Sequence, residues 1–401
     1  PFFFIFTAAF INFTQTSYLN MKKDIISALD SAYVIDGIRM DLTPRQILEA
    51  ASVREEAGGG TEAEPVVDAS PDPMPYRTEL SVNHIYEYAA EVSGLADRAS
   101  HVPAASSADV SRIIVAQSVI DTLWQCGHFR VSDLVLDAEW KWDFTDVGSH
   151  AAFYASVEST CWYTDMMGIR LGGYSLAEGE CSLRFTPSVD GKDADGDDDE
   201  DAAELFTDPF TTANPVLEDN RKCPDTILGD QDNWLIYIPF DTCSFRLGGS
   251  LLEEAEKLGR GKAPEIGDTD YFMDCFEVVR EFVEDGIVLS GRTVGRGGLM
   301  TALGGLCTGG IGAGIDLGTV MQSYGENNLV SILFGEVPGV VIEISSSDFD
   351  YVDAELLLQD VAYYPLGHPE GNTLRIGGNP EGGIYGIIQS LIGSRAPEGE
   401  D

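Results

Sequence analysis

Helix and strand patterns that alternate along the chain and meet at glycine-rich turns predict a fold mixing α and β elements. Three observations carry this. A strand, a glycine turn and a helix follow one another within Ile287 to Leu317. Helical stretches with apolar residues at spacings of three and four recur on both sides of it, interspersed with short apolar runs of strand type. With 401 residues, 44% of them hydrophobic, and a mean hydropathy of −0.04, the chain is long enough for two or three soluble domains with real cores.

Taken in order, residues 1 to 20 are apolar but too short, and too polar at their end, to span a bilayer. A signal peptide carries basic residues before its apolar run, and here Lys22 and Lys23 come after it. Met21-Lys22-Lys23 reads as a start, so the preceding stretch is expected to lie upstream of the initiation site and outside the fold. Pro44 to Ala51 reads as a helix capped by Thr43. From Glu55 to Pro75 the chain is rich in Gly, Glu, Asp and Pro with little apolar content, a linker composition.

Ile113, Ala116, Ile120 and Leu123 mark an amphipathic helix over about 108–124. Ser132 to Leu136 reads as a strand, and Asp137 to Asp143 as an acidic, aromatic loop. Ser149 to Met167 is a second helix ended by Gly168, and Ile169 to Leu171 leads into a glycine turn, Gly172-Gly173-Tyr174-Ser175. Asp190 to Asp201 is almost all Asp and Gly, but Gly196 sits too early for a calcium loop beginning at Asp193, so a solvated insertion is expected. It interrupts strands expected at Cys181 to Phe185 and Trp234 to Ile238.

A second glycine turn, Leu247-Gly248-Gly249-Ser250, precedes a helix from Leu251. Phe272, Phe276, Val279 and Val283 then give Tyr271 to Glu284 a helical stripe, stopped by Gly286. Ile287 to Leu289 enters the turn holding Gly291, Gly295, Gly297 and Gly298, and Leu299 to Cys307 follows as a helix. Unpaired N–H groups and the dipole at such a helix start make a place for a phosphate. The other reading is packing, with Gly297 and Gly298 letting helix and sheet approach closely. Leu329 to Phe334, the turn Gly335 to Gly339 and a strand from Val340 to Ile344 continue the alternation. Leu356 to Gly367 reads as helix then strand, and the glycine-rich tail after Gly377 is expected to fray.

The net charge is −43, from 67 acidic and 24 basic residues, and only seven of the basic residues are Lys. Such a surface repels nucleic acid and anionic lipid, which removes both as expected partners, and it suits a high-salt interior. The seven cysteines are scattered without C-x-x-C spacing and read as reduced core residues of a cytoplasmic protein, with neither disulfides nor structural zinc expected.

Several ordered motifs together are more specific than any one of them. Leu247-Gly248-Gly249-Ser250, Asp270-Tyr271-Phe272, Gly286 to Gly291, Gly297-Gly298-Leu299, Leu333 to Val341 and Pro365-Leu366-Gly367 resemble the closing half of phosphoribosylformylglycinamidine synthase. Trp140 to Asp143, Gly148 to Ile169 and Gly173 to Leu176 fall in the order of the first lobe of the same module. The resemblance spans about 108–376 and is to the second of that enzyme's two aminoimidazole-ribonucleotide-synthetase-like modules, as a divergent copy.

It implies an α+β fold: a lobe over 108–215 that pairs its β-sheet with a like module, carrying the acidic insertion, and an αβ sandwich lobe over 216–377. Residues 21–107 are left as an uncertain region holding the linker, and 378–401 as a flexible tail. The activity it implies is ATP-dependent amidation of formylglycinamide ribonucleotide, in which ATP phosphorylates the amide oxygen and ammonia from a separate amidotransferase displaces it. The phosphorylated ribonucleotide, ATP and Mg²⁺ would meet between two paired modules.

The resemblance places nucleotide phosphates at Gly173, Ser175, Gly248, Gly249, Ser250, Arg296, Gly297 and Gly298, and Mg²⁺ at Asp137, Glu139 and Glu336. Arg246, Arg292 or Arg296 would supply positive charge, because Gly173-Tyr174-Ser175 stands where the family carries Gly-Lys-Asp-Ser. On the residues alone, surface arginines and a solvated acidic loop remain open alternatives. At the level of function the alternatives are a non-catalytic module that pairs with an active partner, or a piece of the longer enzyme.

Overall fold

A computed structural model of the chain describes residues 28–53, 80–189, 221–229, 231–259 and 261–377. The apolar start, the linker, the Asp190 to Asp201 run and the glycine-rich tail fall outside the described residues. The first part holds helices α1 (Pro44–Ser52), α2 (Ile85–Ser93), α3 (Ser107–Asp121) and α4 (Ser149–Met166), and a hairpin of β1 (Val34–Ile35) and β2 (Ile38–Arg39). It also holds β3 (Leu134–Trp142), β4 (Arg170–Glu178) and β5 (Ser182–Val189), which form a sheet in the order β4-β3-β5. β3 runs parallel to β4 and antiparallel to β5. Helix α4 supplies the crossover that a parallel pair requires.

The second part alternates β6 (Trp234–Pro239), α5 (Leu251–Glu256), α6 (Thr269–Glu284), β7 (Val288–Val294), α7 (Gly298–Leu306), β8 (Ala313–Asp316), α8 (Gly318–Tyr324), α9 (Leu329–Phe334), β9 (Gly339–Ile344), α10 (Phe349–Leu358), β10 (Tyr364–Pro369) and β11 (Leu374–Gly377). Its six strands order as β11-β8-β10-β6-β9-β7, antiparallel throughout except for β11 against β8. Two sheets with helices packed on their faces make the protein α+β, as expected.

Strand periodicity decides which helix covers which face. Ile236, Ile238, Val340 and Ile342 point to the core that holds Phe272, Phe276, Val279 and Val283 of α6, the stripe read from their spacing. The alternate residues Leu235, Tyr237 and Val341 point to the opposite core, with Leu299 and Leu303 of α7 and Ile332 and Leu333 of α9. Helix α3 departs from the expected amphipathic pattern. Val110, Val115 and Val119 are buried as well as Ile113, Ala116 and Ile120, because the helix packs against α4 and β5 on one side and against β7 and β9 on the other. A helix buried on most of its sides is a central one.

Two loops expected from the sequence are strands. Asp137 to Asp143 continues β3 as far as Trp142, with Leu136, Ala138, Trp140 and Trp142 buried and Asp137, Glu139 and Lys141 exposed between them. Gly172 to Ser175 lies inside β4, where a Cβ on Gly172 would stand 2.7 Å from Asp137 Oδ1 and from Val135 Cγ1. These glycines serve close strand approach instead of a turn. Helix α1 forms where Thr43 predicts it, with a full capping box: Gln46 N donates to Thr43 Oγ1, and Thr43 N donates to Gln46 Oε1 at 2.9 Å. All seven cysteines are free thiols, with Cys161, Cys223 and Cys275 buried. Among the described residues no helix is long and apolar enough to cross a membrane.

Candidate functional site

Three turns converge on one buried carboxylate. The first leaves β7 through Gly295 and Arg296 and starts α7, with Gly297 as the N-cap at φ +88° and Gly298 at φ +70°. The second is Leu247 to Ser250, which starts α5; Ser250 caps it by accepting from Glu253 N at 3.1 Å and donates its own hydroxyl to Leu247 O at 2.7 Å. The third joins α9 to β9 and carries Glu336 in the left-handed region, at φ +45°.

Glu336 reaches between the two helix starts with its side chain 1% exposed. Its Oε1 accepts from Leu251 N at 2.8 Å and from Gly297 N at 2.9 Å. Its Oε2 accepts from Arg296 Nη1, and the same nitrogen donates to Gly249 O at 2.9 Å. Burial pushes the Glu336 carboxyl up from its usual range, against the pull of Arg296 and of the two N–H groups. A second carboxylate completes the enclosure. Glu253 accepts from Gly249 N at 2.6 Å and from Gly261 N at 2.8 Å, and burial raises its pKa also.

Gly249, Ser250, Arg296, Gly297 and Glu336 therefore meet, and Gly248 and Gly298 flank them. Both flanking glycines answer to packing. A Cβ on Gly248 would lie 2.2 Å from Gly261 O, and one on Gly298 would lie 2.6 Å from Leu333 O. Glu336 does not stand free for a metal, since its oxygens are engaged by N–H groups and a guanidinium.

The remaining candidates sit on the three-stranded sheet. Asp137 pairs in register with Gly173, and Glu139 with Ser175, on the outward side of β3 and β4. Lys141 lies 3.6 Å from Glu139. Asp137 and Glu139 do not by themselves make a Mg²⁺ site, and among the described residues no group of three His, Cys, Asp or Glu is placed to hold a metal. Arg246 pairs with Glu265 at 2.7 Å, and Arg292 with Asp225 at 3.5 Å.

Sequence reasoning missed Gln117 and Glu253. Gln117 Oε1 accepts from Arg296 N at 2.9 Å and orients the arginine from α3. No local signal marks it, because the contact joins residues 179 apart. Glu253 carries one: Ser250-x-x-Glu253 is a capping-box pattern, although here the carboxylate takes the N–H of Gly249.

No family model matches the chain. Over 266 residues, 66% of the chain, it is 25% identical to a probable phosphoribosylformylglycinamidine synthase, chloroplastic/mitochondrial, of Arabidopsis thaliana, of which it covers 18%. It is 24% identical over 284 residues to the phosphoribosylformylglycinamidine synthase of Drosophila melanogaster, covering 66% of the chain and 19% of that protein. The chain thus spans less than a fifth of the length of the curated relatives it matches. Among solved structures, T. maritima PurL complexed with FGAR aligns with a TM-score of 0.47 at 13% identity, covering 69% of this chain and 42% of that one. Two thirds of the chain is thus similar to phosphoribosylformylglycinamidine synthases, the family its motifs resemble.

Proposed function

We propose that the chain serves as a synthetase module of the phosphoribosylformylglycinamidine synthase type, working in purine biosynthesis in the cytoplasm on ATP and formylglycinamide ribonucleotide. The observation that carries this reading is the convergence of the Leu247 to Ser250, Arg296 to Gly298 and Glu336 turns. These segments, far apart in sequence, carry the resemblance, and they come together as one structural unit.

In the reaction proposed, the γ-phosphoryl group of ATP passes to the amide oxygen of the ribonucleotide, and ammonia then attacks the carbon and expels phosphate. The chain's part is positioning. The hydrogen-bonded α5 and α7 starts hold the second lobe's turns together, and the outer face of β3 and β4, with Asp137, Glu139, Gly173 and Ser175, offers polar groups to substrate or to a like module paired across it. Ammonia comes from a separate amidotransferase.

A second reading is a non-catalytic module of the same fold that supports an active partner. Glu336 and Glu253 favour it, because they fill with the chain's own carboxylates the helix starts where nucleotide phosphates were expected. Titration calorimetry of the chain with ATP, with and without Mg²⁺, followed by turnover with ammonia and formylglycinamide ribonucleotide, separates the two. Binding with product formation supports the enzyme. Binding without turnover supports the non-catalytic module, and failure to bind any nucleotide removes the enzyme reading.

A further inference from the structure

Helix α10 buries one side and leaves the other bare. Val352 and Leu356 turn into the core, and Tyr351 meets Phe282 of α6 edge-on, with ring centroids 6.3 Å apart. Tyr351 is nevertheless 48% exposed, Leu357 66% and Leu358 76%, and Ala354 is exposed between them. Spacings of three, four and seven place these four residues on one stripe of the helix. Single exposed leucines would mean nothing, but a continuous apolar stripe marks a contact surface. Its rim is acidic: Asp350 is exposed beside it, and Glu281, Asp285 and Glu355 lie near Tyr351. Such a rim repels most of a chain whose net charge is −43.

We infer that the α10 stripe is the docking seat of the chain's own segment 384–392, Ile-Tyr-Gly-Ile-Ile-Gln-Ser-Leu-Ile. Pattern, charge and reach select this occupant. Ile384, Ile387, Ile388, Leu391 and Ile392 recur at three- and four-residue spacing, the period of an apolar helix face, with Gly393 placed as a stop. From Gly382 to Ser394 the chain carries no charge, and Arg395 then offers a cation to the acidic rim. β11 ends at Gly377, paired with Asp316 of β8, while β10 pairs Gly367 with Ile315. Gly377 therefore stands two strand spacings, about 10 Å, across the sheet from the first half of β10. Helix α10 enters β10 through 359–363 at that same end of the sheet. The stretch from Gly377 to Ile384 spans up to about 25 Å when extended, enough to double back to Leu358. A helix this short, with Gly386 inside it, is marginal in water, so the segment takes its order from the stripe it covers. The inference does not rest on the amidation proposed above, because an inactive chain would show it equally.

Hydrogen–deuterium exchange of the full chain, read by mass spectrometry, tests this against a synthetic peptide of residues 378–401. The amides of 384–392 should exchange roughly tenfold or more slowly in the protein than in the peptide. Leu358→Asp puts a charge on the exposed stripe without touching the core, and it should return 384–392 to the peptide's rate. Helix α6, followed in the same experiment, should stay as protected as before and so report an intact fold. Ile388→Asp should release the segment equally from its own side of the contact. The inference is overturned if 384–392 exchanges at the peptide's rate in the unaltered protein, or if its protection survives Leu358→Asp. It is also overturned if light scattering shows a dimer that Leu358→Asp dissociates with no change of exchange in 384–392, because the stripe then belongs to a second copy.

Discussion

Helix α7 contains two glycines, six residues apart, that should respond to the same substitution with opposite signs. Gly298 stands at φ +70°, and a Cβ there would lie 2.6 Å from Leu333 O and 2.8 Å from Phe334 Cα, backbone atoms that cannot swing away. Gly304, in the interior of the same helix, has nothing within 4 Å of its Cβ position. For Gly298→Ala the left-handed backbone costs about 1–2 kcal/mol and the overpacking about 1–3 kcal/mol. A central value of about 3 kcal/mol lowers the melting temperature by about 6–12 °C for a domain of this size class. Gly304→Ala gains helix propensity and loses unfolded-state entropy, which stabilises by about 0.5–1 kcal/mol. Thermal melts followed by circular dichroism, supported by urea titrations, measure both. A Gly298→Ala protein that melts with the unaltered chain would refute the close approach of α7 to α9. A Gly304→Ala protein that loses stability would refute the open space assigned to that position.

Three further outcomes are expected. Arg280 is 4% exposed and donates to Leu123 O at 2.8 Å, to Gln125 O at 2.6 Å and to Gly127 O, so Arg280→Met leaves three carbonyls without their donor. It should cost about 3–5 kcal/mol in urea denaturation. Thr43→Ala removes the capping box of α1 and should cost about 1 kcal/mol, read as faster amide exchange confined to 44–52. His101 is held below its usual 6.5 mainly by burial, with Arg98 adding to that and Glu254 and Glu180 opposing it. Because the unfolded chain then binds the proton more readily than the folded one, stability is present above about pH 6.5 and is lost as pH falls through the lowered value. His101→Gln should flatten that part of the pH–stability curve, and an unchanged slope in urea midpoints would refute the assignment.

The elements legible in the sequence are those whose cause is local. Helix α6 follows from Phe272, Phe276, Val279 and Val283, and α1 from Thr43 and Pro44. The misread elements have non-local causes, or local causes outvoted by composition. In β3, Ala138, Trp140 and Trp142 alternate with Asp137, Glu139 and Lys141, a period of two that the charge on half its members masks. In β4, Gly172 and Gly173 resemble a turn until the side chain of Asp137, on the neighbouring strand, is seen lying against them. The candidate site divides along the same line. Glycine spacing and Arg296 reveal donors, because N–H groups at a helix start are a property of the local backbone.

What a donor set holds is settled by a residue elsewhere. Glu336 lies 85 positions from Leu251 and 39 from Gly297, and a glutamate in a turn reads equally as a metal ligand or as an acceptor. The distinction turns on what surrounds its oxygens. A Mg²⁺ site gathers further oxygen donors around the ion, whereas the oxygens of Glu336 are surrounded by N–H groups and a guanidinium. The motif that most strongly suggests a phosphate site is thus the one whose helix starts are closed by carboxylates of the chain itself.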